Sequence, residues 1–213
     1  MAIQSKPYYT AEQYFELERT SDSKHEYYDG EIFALAGGSE NHNLLAANMS
    51  GILYNQLRKR PCKFYPSDMR VRIVKTGLYT YPDLSVVCGA VLFDENDPDT
   101  LLNPQAIIEI LSSSTEKYDR GAKFENYRSI PTLKDYILVS QDKPLIEHYS
   151  WQRDNTWLLI VHDNPQSRVI THLTQYMCAM RTEVLLFVAN CCRFEAHARC
   201  QTQPVRPERT AWI

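Results

Sequence analysis

The sequence lacks any hydrophobic run long enough to cross a membrane. Its longest apolar run, residues 184–192, falls well short of the roughly 20 residues that a membrane-spanning helix needs. It also lacks a positively charged start followed by an apolar stretch, so we expect no secretory signal. These absences predict a cytoplasmic protein with no membrane partner, in a compartment where disulfides are rare.

Three catalytic signatures are missing as well. The chain contains no P-loop, no nucleophile elbow of the Ser-His-Asp hydrolases and no zinc-protease helix. P-loop nucleotide hydrolysis, hydrolysis by a Ser-His-Asp elbow and zinc-dependent proteolysis are therefore not expected.

Excess positive charge is missing from the chain as a whole but not from one segment. The formal net charge is −3, which does not favour non-specific nucleic-acid binding by the entire surface. Residues 56–75, in contrast, hold seven basic side chains against one acid. That segment is typical of phosphate contact, and equally of a solvated helix end followed by a charge-protected edge strand. Four of its residues are candidate phosphate contacts: Arg58, Lys59, Arg70 and Arg72.

Two acidic residues accompany apolar runs that predict strands. Asp83 follows Pro82 at the head of a β-branched run, where a proline without an N–H is tolerated. Glu109 is the single charge in residues 105–111. A buried carboxylate is costly unless it is hydrogen-bonded, paired or bound to a metal. The pair would suit a hard cation such as Mg²⁺; alternatively, Asp83 caps a strand end and Glu109 pairs with a nearby basic residue.

A helix is predicted directly after the Glu109 strand. Asp119, Lys123 and Tyr127 fall on one face of it at a spacing of four residues. The connection from Leu111 is so short that the helix must begin close to the end of that strand. Lys123 is therefore expected to point back toward the two acids.

These segments together resemble a known family. Pro82-Asp83, then Ile108-Glu109-Ile110-Leu111-Ser112-x-Ser114-Thr115, then Asp119-Arg120-x-x-Lys123 with Tyr127 are similar to the Uma family of restriction endonucleases. That family belongs to the PD-(D/E)XK nuclease superfamily. The segment Glu26-Tyr27-Tyr28-Asp29-Gly30-Glu31-Ile32 and the helix that opens at His42 resemble the same family, and the likeness covers roughly residues 8–162.

The resemblance implies a specific site. Asp83 and Glu109 would hold Mg²⁺ (or Mn²⁺), with Glu26 as an outer metal ligand, and DNA would be the substrate. The superfamily lysine is expected two residues after the glutamate, where this chain has Leu111; in the family it comes from the following helix, at the position of Lys123. His42, Asp119 and Tyr127 would line the site. A homodimer is expected by resemblance only.

The order of elements predicts an α/β fold. Helix, hairpin around Asp29-Gly30, helix, then strands, helix and strands indicate a restriction-endonuclease-like mixed β-sheet core flanked by helices. Residues 77–80 are interpreted as a turn, and the acidic residues 94–99 as a solvated loop. Residues 144–151 and 157–162 are expected to form a second hairpin.

The residues after about Pro165 depart from this pattern. Residues 163–213 contain four of the six cysteines and end in a segment rich in proline and arginine. Their Cys and His spacing matches no standard zinc site. We interpret them as an atypical C-terminal tail, and our hypothesis is that a reading-frame shift replaced the native terminus.

The sequence leaves three interpretations open. The first is a Mg²⁺-dependent DNA endonuclease. The second is a catalytically inactive module of the same fold that binds nucleic acid or assembles with a partner. The third is a defective product of a disrupted gene.

Overall fold

The residues that the structure describes form two mixed β-sheets, a short antiparallel pair (Arg168–Val169 with Met180–Arg181) and three helical regions. The computed structural model describes residues 7–164, 168–169, 171–172 and 180–181. Most of the predicted tail, residues 163–213, therefore lies outside the described residues. Within the described part of the chain, no helix is both long and apolar enough to cross a bilayer.

The smaller sheet is built from the N-terminal half of the chain. Its five strands lie in the spatial order β2-β1-β5-β4-β7, all antiparallel except β4 with β7. The bounds are β1 (His25–Tyr28), β2 (Glu31–Ala34), β4 (Arg70–Ile73), β5 (Leu78–Thr80) and β7 (Thr100–Leu101). Helix α1 (Ala11–Thr20), opened by a capping box of Thr10 and Gln13, packs on the β1–β2 hairpin of this sheet.

The larger sheet forms the centre of the molecule. Six strands lie in the order β11-β10-β9-β8-β6-β3, and β8 with β9 is the one parallel pair among them. The bounds are β3 (Cys62–Pro66), β6 (Leu84–Cys88), β8 (Ala106–Leu111), β9 (Asp135–Ser140), β10 (Ile146–Trp151) and β11 (Trp157–His162). β6, β8 and β9 are buried along their whole length, which explains their nearly continuous apolar sequences.

Helices and the smaller sheet cover the two faces of this sheet. Helix α2 (Glu40–Leu57) packs one face through the apolar side chains it presents at helical spacing, namely Leu45, Met49, Leu53 and Leu57. The opposite face packs on the smaller sheet and on the third helical region. The hydrophobic core is therefore split by the central sheet.

The third helical region is kinked. It consists of α3 (Glu116–Tyr118), a π-helical turn (Asp119–Lys123) and α4 (Phe124–Tyr127). Gly121 adopts φ −110° and ψ −105° inside the π turn. A π turn inserts extra backbone into the helix and rotates the residues beyond it, an arrangement frequent at functional sites.

Several sequence predictions are confirmed. Asp29 and Gly30 both have positive φ, 48° and 79°, and join β1 to β2 in the predicted two-residue hairpin. β10 and β11 form the second hairpin as expected. The fold class, a mixed α/β structure with helices on the sheet, is likewise confirmed.

Two predictions are wrong. Residues 78–80, interpreted as a turn, form β5 and are fully buried between β1 and β4. The acidic loop is not merely solvated: Asp94 is buried and lies 2.6 Å from Arg72, and Asp97 lies 2.9 Å from Arg70. Short strands and ion pairs between residues distant in sequence depend on tertiary neighbours that the sequence does not reveal.

A disulfide crosses the edge of the central sheet. Cys62 and Cys88 are opposite each other in the β3–β6 pair and are bonded. This differs from the expectation of few disulfides that accompanied the predicted cytoplasmic location. The location itself stays a prediction.

Candidate active site

Asp83 and Glu109 are held against each other by the pairing of β6 with β8. Leu84 is opposite Ile108 in that antiparallel pair, so the residue before β6 lies beside the middle of β8. The Asp83 backbone N–H donates to Glu109 Oε2 at 3.3 Å, and the Ile110 N–H donates to Asp83 Oδ2 at 2.7 Å. Each acid is thus fixed by the backbone of the other strand.

Lys123 reaches Glu109 from the kinked helix. Its Nζ lies 2.9 Å from Glu109 Oε1, and the Tyr127 hydroxyl donates to the same oxygen at 2.9 Å. Both residues are buried. Leu111, where the superfamily lysine would be expected, instead belongs to the hydrophobic core. The predicted approach of the helix lysine to Glu109 is present in this geometry.

Glu26 belongs to the surroundings of the lysine. Its Oε1 lies 3.5 Å from Lys123 Nζ and accepts a hydrogen bond from Thr80, and its Oε2 accepts one from the Tyr118 hydroxyl at 3.1 Å. The sequence interpretation missed Thr80 and Tyr118. Thr80 could not be found because its strand had been interpreted as a turn, and Tyr118 carries no signal beyond its place in the helix motif.

Asp119 is the third buried carboxylate near Lys123. It is 3% exposed and lies 3.6 Å from the lysine, four residues away along the π turn. The Tyr136 hydroxyl donates to the Asp119 carbonyl at 2.9 Å, which anchors this turn to β9.

The buried carboxyl groups at this site outnumber the buried ammonium group. Glu26, Glu109 and Asp119 are each at most 5% exposed and surround one ammonium group, that of Lys123. Burial raises the pKa of the Glu109 carboxyl, against the opposing charge of Lys123, and burial likewise raises the pKa of Asp119. Three buried carboxyl groups therefore share one buried ammonium group, and two of them hold their protons more readily than usual; a bound cation would favour their ionised forms.

The pKa of Lys123 moves in the opposite sense from that of an isolated buried lysine. Burial alone would lower it, but Glu109, Glu26 and Asp119 more than offset the burial and hold the pKa well above its usual value. The lysine is accordingly a fixed positive charge at neutral pH.

His42 brings α2 to the site. It lies in the first turn of α2, after the Ser39 N-cap, and its Nε2 is 3.1 Å from Asp83 Oδ1. The hydrogen bond to Asp83 raises the pKa of the His42 imidazole. Gly38 leaves room for this ring, because a Cβ there would lie 2.6 Å from His42 Nδ1.

The four candidate phosphate contacts do not lie together. Arg70 is buried and paired with Asp97, and its guanidinium lies 5.2–5.5 Å from the ring centroids of Tyr14, Phe15 and Tyr81. Arg72 is paired with Asp94. Arg58 and Lys59 are exposed at the far end of α2. A phosphate could reach the last two without displacing an ion pair of the described residues.

The donors present fit a hard divalent cation. No group of three or more His, Cys, Asp or Glu side chains in the described part of the chain forms a ready-made metal cage. Mg²⁺, however, is usually bound through one or two carboxylates, with waters and substrate phosphate completing its shell. Asp83 and Glu109 supply that oxygen set, Asp83 is the more accessible of the two at 15% side-chain exposure, and a cation would favour the ionised forms of the buried carboxyl groups.

Comparison with known proteins identifies relatives over most of the chain. Residues 11–183 match the family described as "Uma2: Putative restriction endonuclease". Two proteins of Synechocystis sp. (strain ATCC 27184 / PCC 6803 / Kazusa) are similar. "Uncharacterized protein slr1290" is 39% identical over 72% of this chain and 80% of its own. "Uncharacterized protein sll1609" is 36% identical over 75% and 90% respectively.

A solved structure shares the fold. The crystal structure of "a putative nuclease belonging to DUF820 from Anabaena variabilis ATCC 29413" superposes with a TM-score of 0.69 at 16% identity, covering 84% of this chain and 97% of that one. With the family match extending over most of the sequence, the chain belongs to the Uma2 family of restriction-endonuclease-like proteins.

Proposed function

We propose that this protein is a metal-dependent endonuclease that hydrolyses phosphodiester bonds in DNA. The observation that carries the proposal is the position of three side chains. Asp83 and Glu109 are each hydrogen-bonded by backbone N–H groups of the neighbouring segment, and the Lys123 ammonium lies 2.9 Å from Glu109. Phosphodiester hydrolysis requires an activated water and neutralisation of charge on the phosphate. Two acids can bind a metal ion that activates the water, and a cationic side chain can neutralise the phosphate charge.

Asp83 and Glu109 would hold Mg²⁺ or Mn²⁺ between them. Glu109 Oε1 already accepts from Lys123 and Tyr127, so the Asp83 carboxylate and Glu109 Oε2, which accepts one weak bond from the Asp83 N–H, would be the oxygens that hold the ion. The bound ion would lower the pKa of a water and neutralise phosphate oxygens. His42 and the Ile110 N–H orient the Asp83 carboxylate for this purpose.

Lys123 would act by its charge. Because its pKa is held well above the usual value, it keeps its proton at neutral pH and is suited to stabilise negative charge that develops on the phosphate. Tyr127 and Asp119 fix the lysine and Glu109 relative to each other. Glu26, whose oxygens face Lys123, Thr80 and Tyr118, would reach the cation only through water and would mainly hold the lysine.

The test is the conversion of supercoiled plasmid to nicked and linear forms. We expect the wild-type protein to cut with Mg²⁺ or Mn²⁺ and not with EDTA. Glu109→Gln should cut on the order of a hundredfold more slowly, the loss typical when one preorganised electrostatic group is removed. Asp22→Asn, which neutralises an exposed acid in the turn after α1, is the matched control and should cut like the wild type.

Two results would contradict the proposal. Cutting that persists in EDTA would exclude the metal, and equal rates for Glu109→Gln and Asp22→Asn would exclude this site. DNA binding without cutting under any metal would instead favour the catalytically inactive binding module.

A further inference from the structure

The exposed basic residues at the end of α2 lie far from the candidate active site. His42, in the first turn of α2, contacts Asp83, whereas Arg58 follows the last turn. Sixteen residues at a rise of about 1.5 Å place the two ends about 24 Å apart. These basic residues therefore cannot contact the phosphate that Asp83 and Glu109 would act on.

The strand beside α2 gives a similar separation. Cys62, two residues after Arg60, is opposite Cys88 at one end of β6, and Asp83 precedes the other end. Five residues at about 3.3 Å each span about 17 Å. Helix and strand thus agree on a separation of roughly 20 Å.

The side chains at the far end of α2 are suited to binding a polyanion. Arg58, Lys59 and Arg60 line a cleft of about 520 Å³ together with Asn55 and Gln56. All three basic side chains are exposed, and none has an ion pair among the described residues. Tyr54, one turn before Arg58, is 59% exposed and adds an aromatic surface.

Helix α2 itself adds no negative charge between its two ends. After Glu40, helix α2 carries no acid up to Leu57. The acidic residues Asp94 and Asp97 lie in the loop before β7, where they pair with arginines of β4 on the opposite side of the central sheet from α2. A nucleic-acid backbone lying along α2 would meet little repulsion.

We propose that Arg58, Lys59 and Arg60 form a second contact for the DNA substrate, which holds its backbone about 20 Å from the bond to be cut. One strand of duplex DNA advances 3.4 Å per nucleotide, so the contact lies about five to seven base pairs from the active site. This inference rests on the proposed function for the identity of the ligand. It predicts that a duplex must extend beyond that distance to bind tightly.

The experiment measures binding of fluorescent DNA hairpins in EDTA, with stems of about 6 and about 20 base pairs. We expect the wild-type protein to bind the long stem much more tightly than the short one. The double variant Arg58→Ala/Lys59→Ala should lose most of that gain. Its affinity for the long stem should also depend less steeply on salt, by about 0.9 in the log–log slope for each phosphate contact removed.

The matched control is Lys75→Ala/Arg153→Ala. It removes the same charge from two exposed turns outside α2 and should behave like the wild type. The proposal is overturned if the Arg58→Ala/Lys59→Ala variant and this control bind with the same dependence of affinity on stem length and on salt. It is also overturned if the wild type binds the long stem no more tightly than the short one. Plasmid cutting is measured separately. If the affinity depends on stem length but no DNA is cut, the proposed contact stands and the proposed endonuclease function fails.

Discussion

Lys123 is the residue on which the charge of the candidate site depends. It is 6% exposed and lies within 3.6 Å of three buried carboxylates, Glu26, Glu109 and Asp119. Removing one partner of a buried ion pair leaves an uncompensated charge, which costs more than the pair itself contributes. The lysine therefore matters for folding as well as for the proposed chemistry.

In the absence of metal, we expect Lys123→Ala to lower the free energy of unfolding by about 3–5 kcal/mol. Urea denaturation at neutral pH measures this. The matched control is Lys117→Ala, an exposed lysine in α3 of the same helical region. An equal loss in the two variants would show that Lys123 is not the compensating charge.

Tyr127 tests the hydrogen bond to Glu109 separately from packing. Its ring is fully buried against Tyr136, and its hydroxyl donates to Glu109 Oε1. Tyr127→Phe keeps the ring and should cost about 1–3 kcal/mol, because a buried carboxylate oxygen loses a donor.

Thermal or urea unfolding measures this change, and Tyr149→Phe is the control. Tyr149 belongs to the same aromatic cluster but lies on β10 and not beside Glu109. If Tyr149→Phe is as destabilising as Tyr127→Phe, the loss reflects the aromatic cluster and not the bond to Glu109.

At the scale of the element, the start of α2 is fixed over the site by a chain of polar contacts. Ser39 caps the helix and donates to Gln141 Oε1 at 2.6 Å, and Gln141 donates to the Leu111 carbonyl at the end of β8. The loop before Ser39 contains two glycines with different surroundings. Gly38 lies against His42, and Gly37 has open space around its Cα.

We expect Gly38→Ala to reduce metal-dependent cutting by about tenfold or more, because a Cβ would displace the His42 ring from Asp83, and small displacements near reacting groups are costly. Gly37→Ala adds the same methyl group in open space and should have little effect. Initial rates of plasmid nicking compare the two. Equal rates would mean that the position of His42 does not matter.

The sequence predicted elements well where the signal was local. The Asp29-Gly30 hairpin follows from residue types that its two-residue turn requires. The three-residue strand β5 was missed because Thr80 and its neighbours are strand-forming only through pairing with β1 and β4. The kink at Gly121 was missed because the helical spacing of Asp119 and Lys123 is compatible with a regular helix.

The same limit applies to the site. Asp83, Glu109 and Lys123 could be proposed from motif spacing, and the structure brings them together. Arg70 and Arg72 were proposed as phosphate contacts from their charge alone, yet they pair with acids more than twenty residues away in sequence. Pairing over that distance leaves no local pattern, so it required the fold.

At the scale of the whole molecule, the buried carboxyl groups should make the stability of the folded protein depend on metal binding. A cation that binds the folded chain and not the unfolded one stabilises it, by about 2.7 kcal/mol at a hundred times its Kd. We expect Mg²⁺ or Mn²⁺ to raise the melting temperature of the wild type. Glu109→Gln, which lacks one carboxylate, should show a much smaller rise.

The pH dependence has a definite sign. The pKa of Glu109 is raised in the folded protein, mainly by burial, so the unfolded chain loses this proton first. The metal-free protein should lose that contribution to stability as the pH rises above the usual carboxyl pKa. The metal must displace the same proton, so its stabilising effect should be larger at about pH 8 than at about pH 6. Calorimetry with and without metal measures both trends, and an increment that grows toward acid pH would contradict them.

Asp83, Glu109 and Lys123 should act as one unit in cutting DNA. The measurement is the single-turnover rate of cutting by Asp83→Asn, Glu109→Gln, Lys123→Ala and the double variant Glu109→Gln/Lys123→Ala. We predict a loss on the order of a hundredfold or more for each single variant. The double variant should be little worse than either of its parents, since groups that act together give non-additive losses. Losses that multiply in the double variant, or cutting that survives Lys123→Ala, would contradict the assignment of Lys123 to this site.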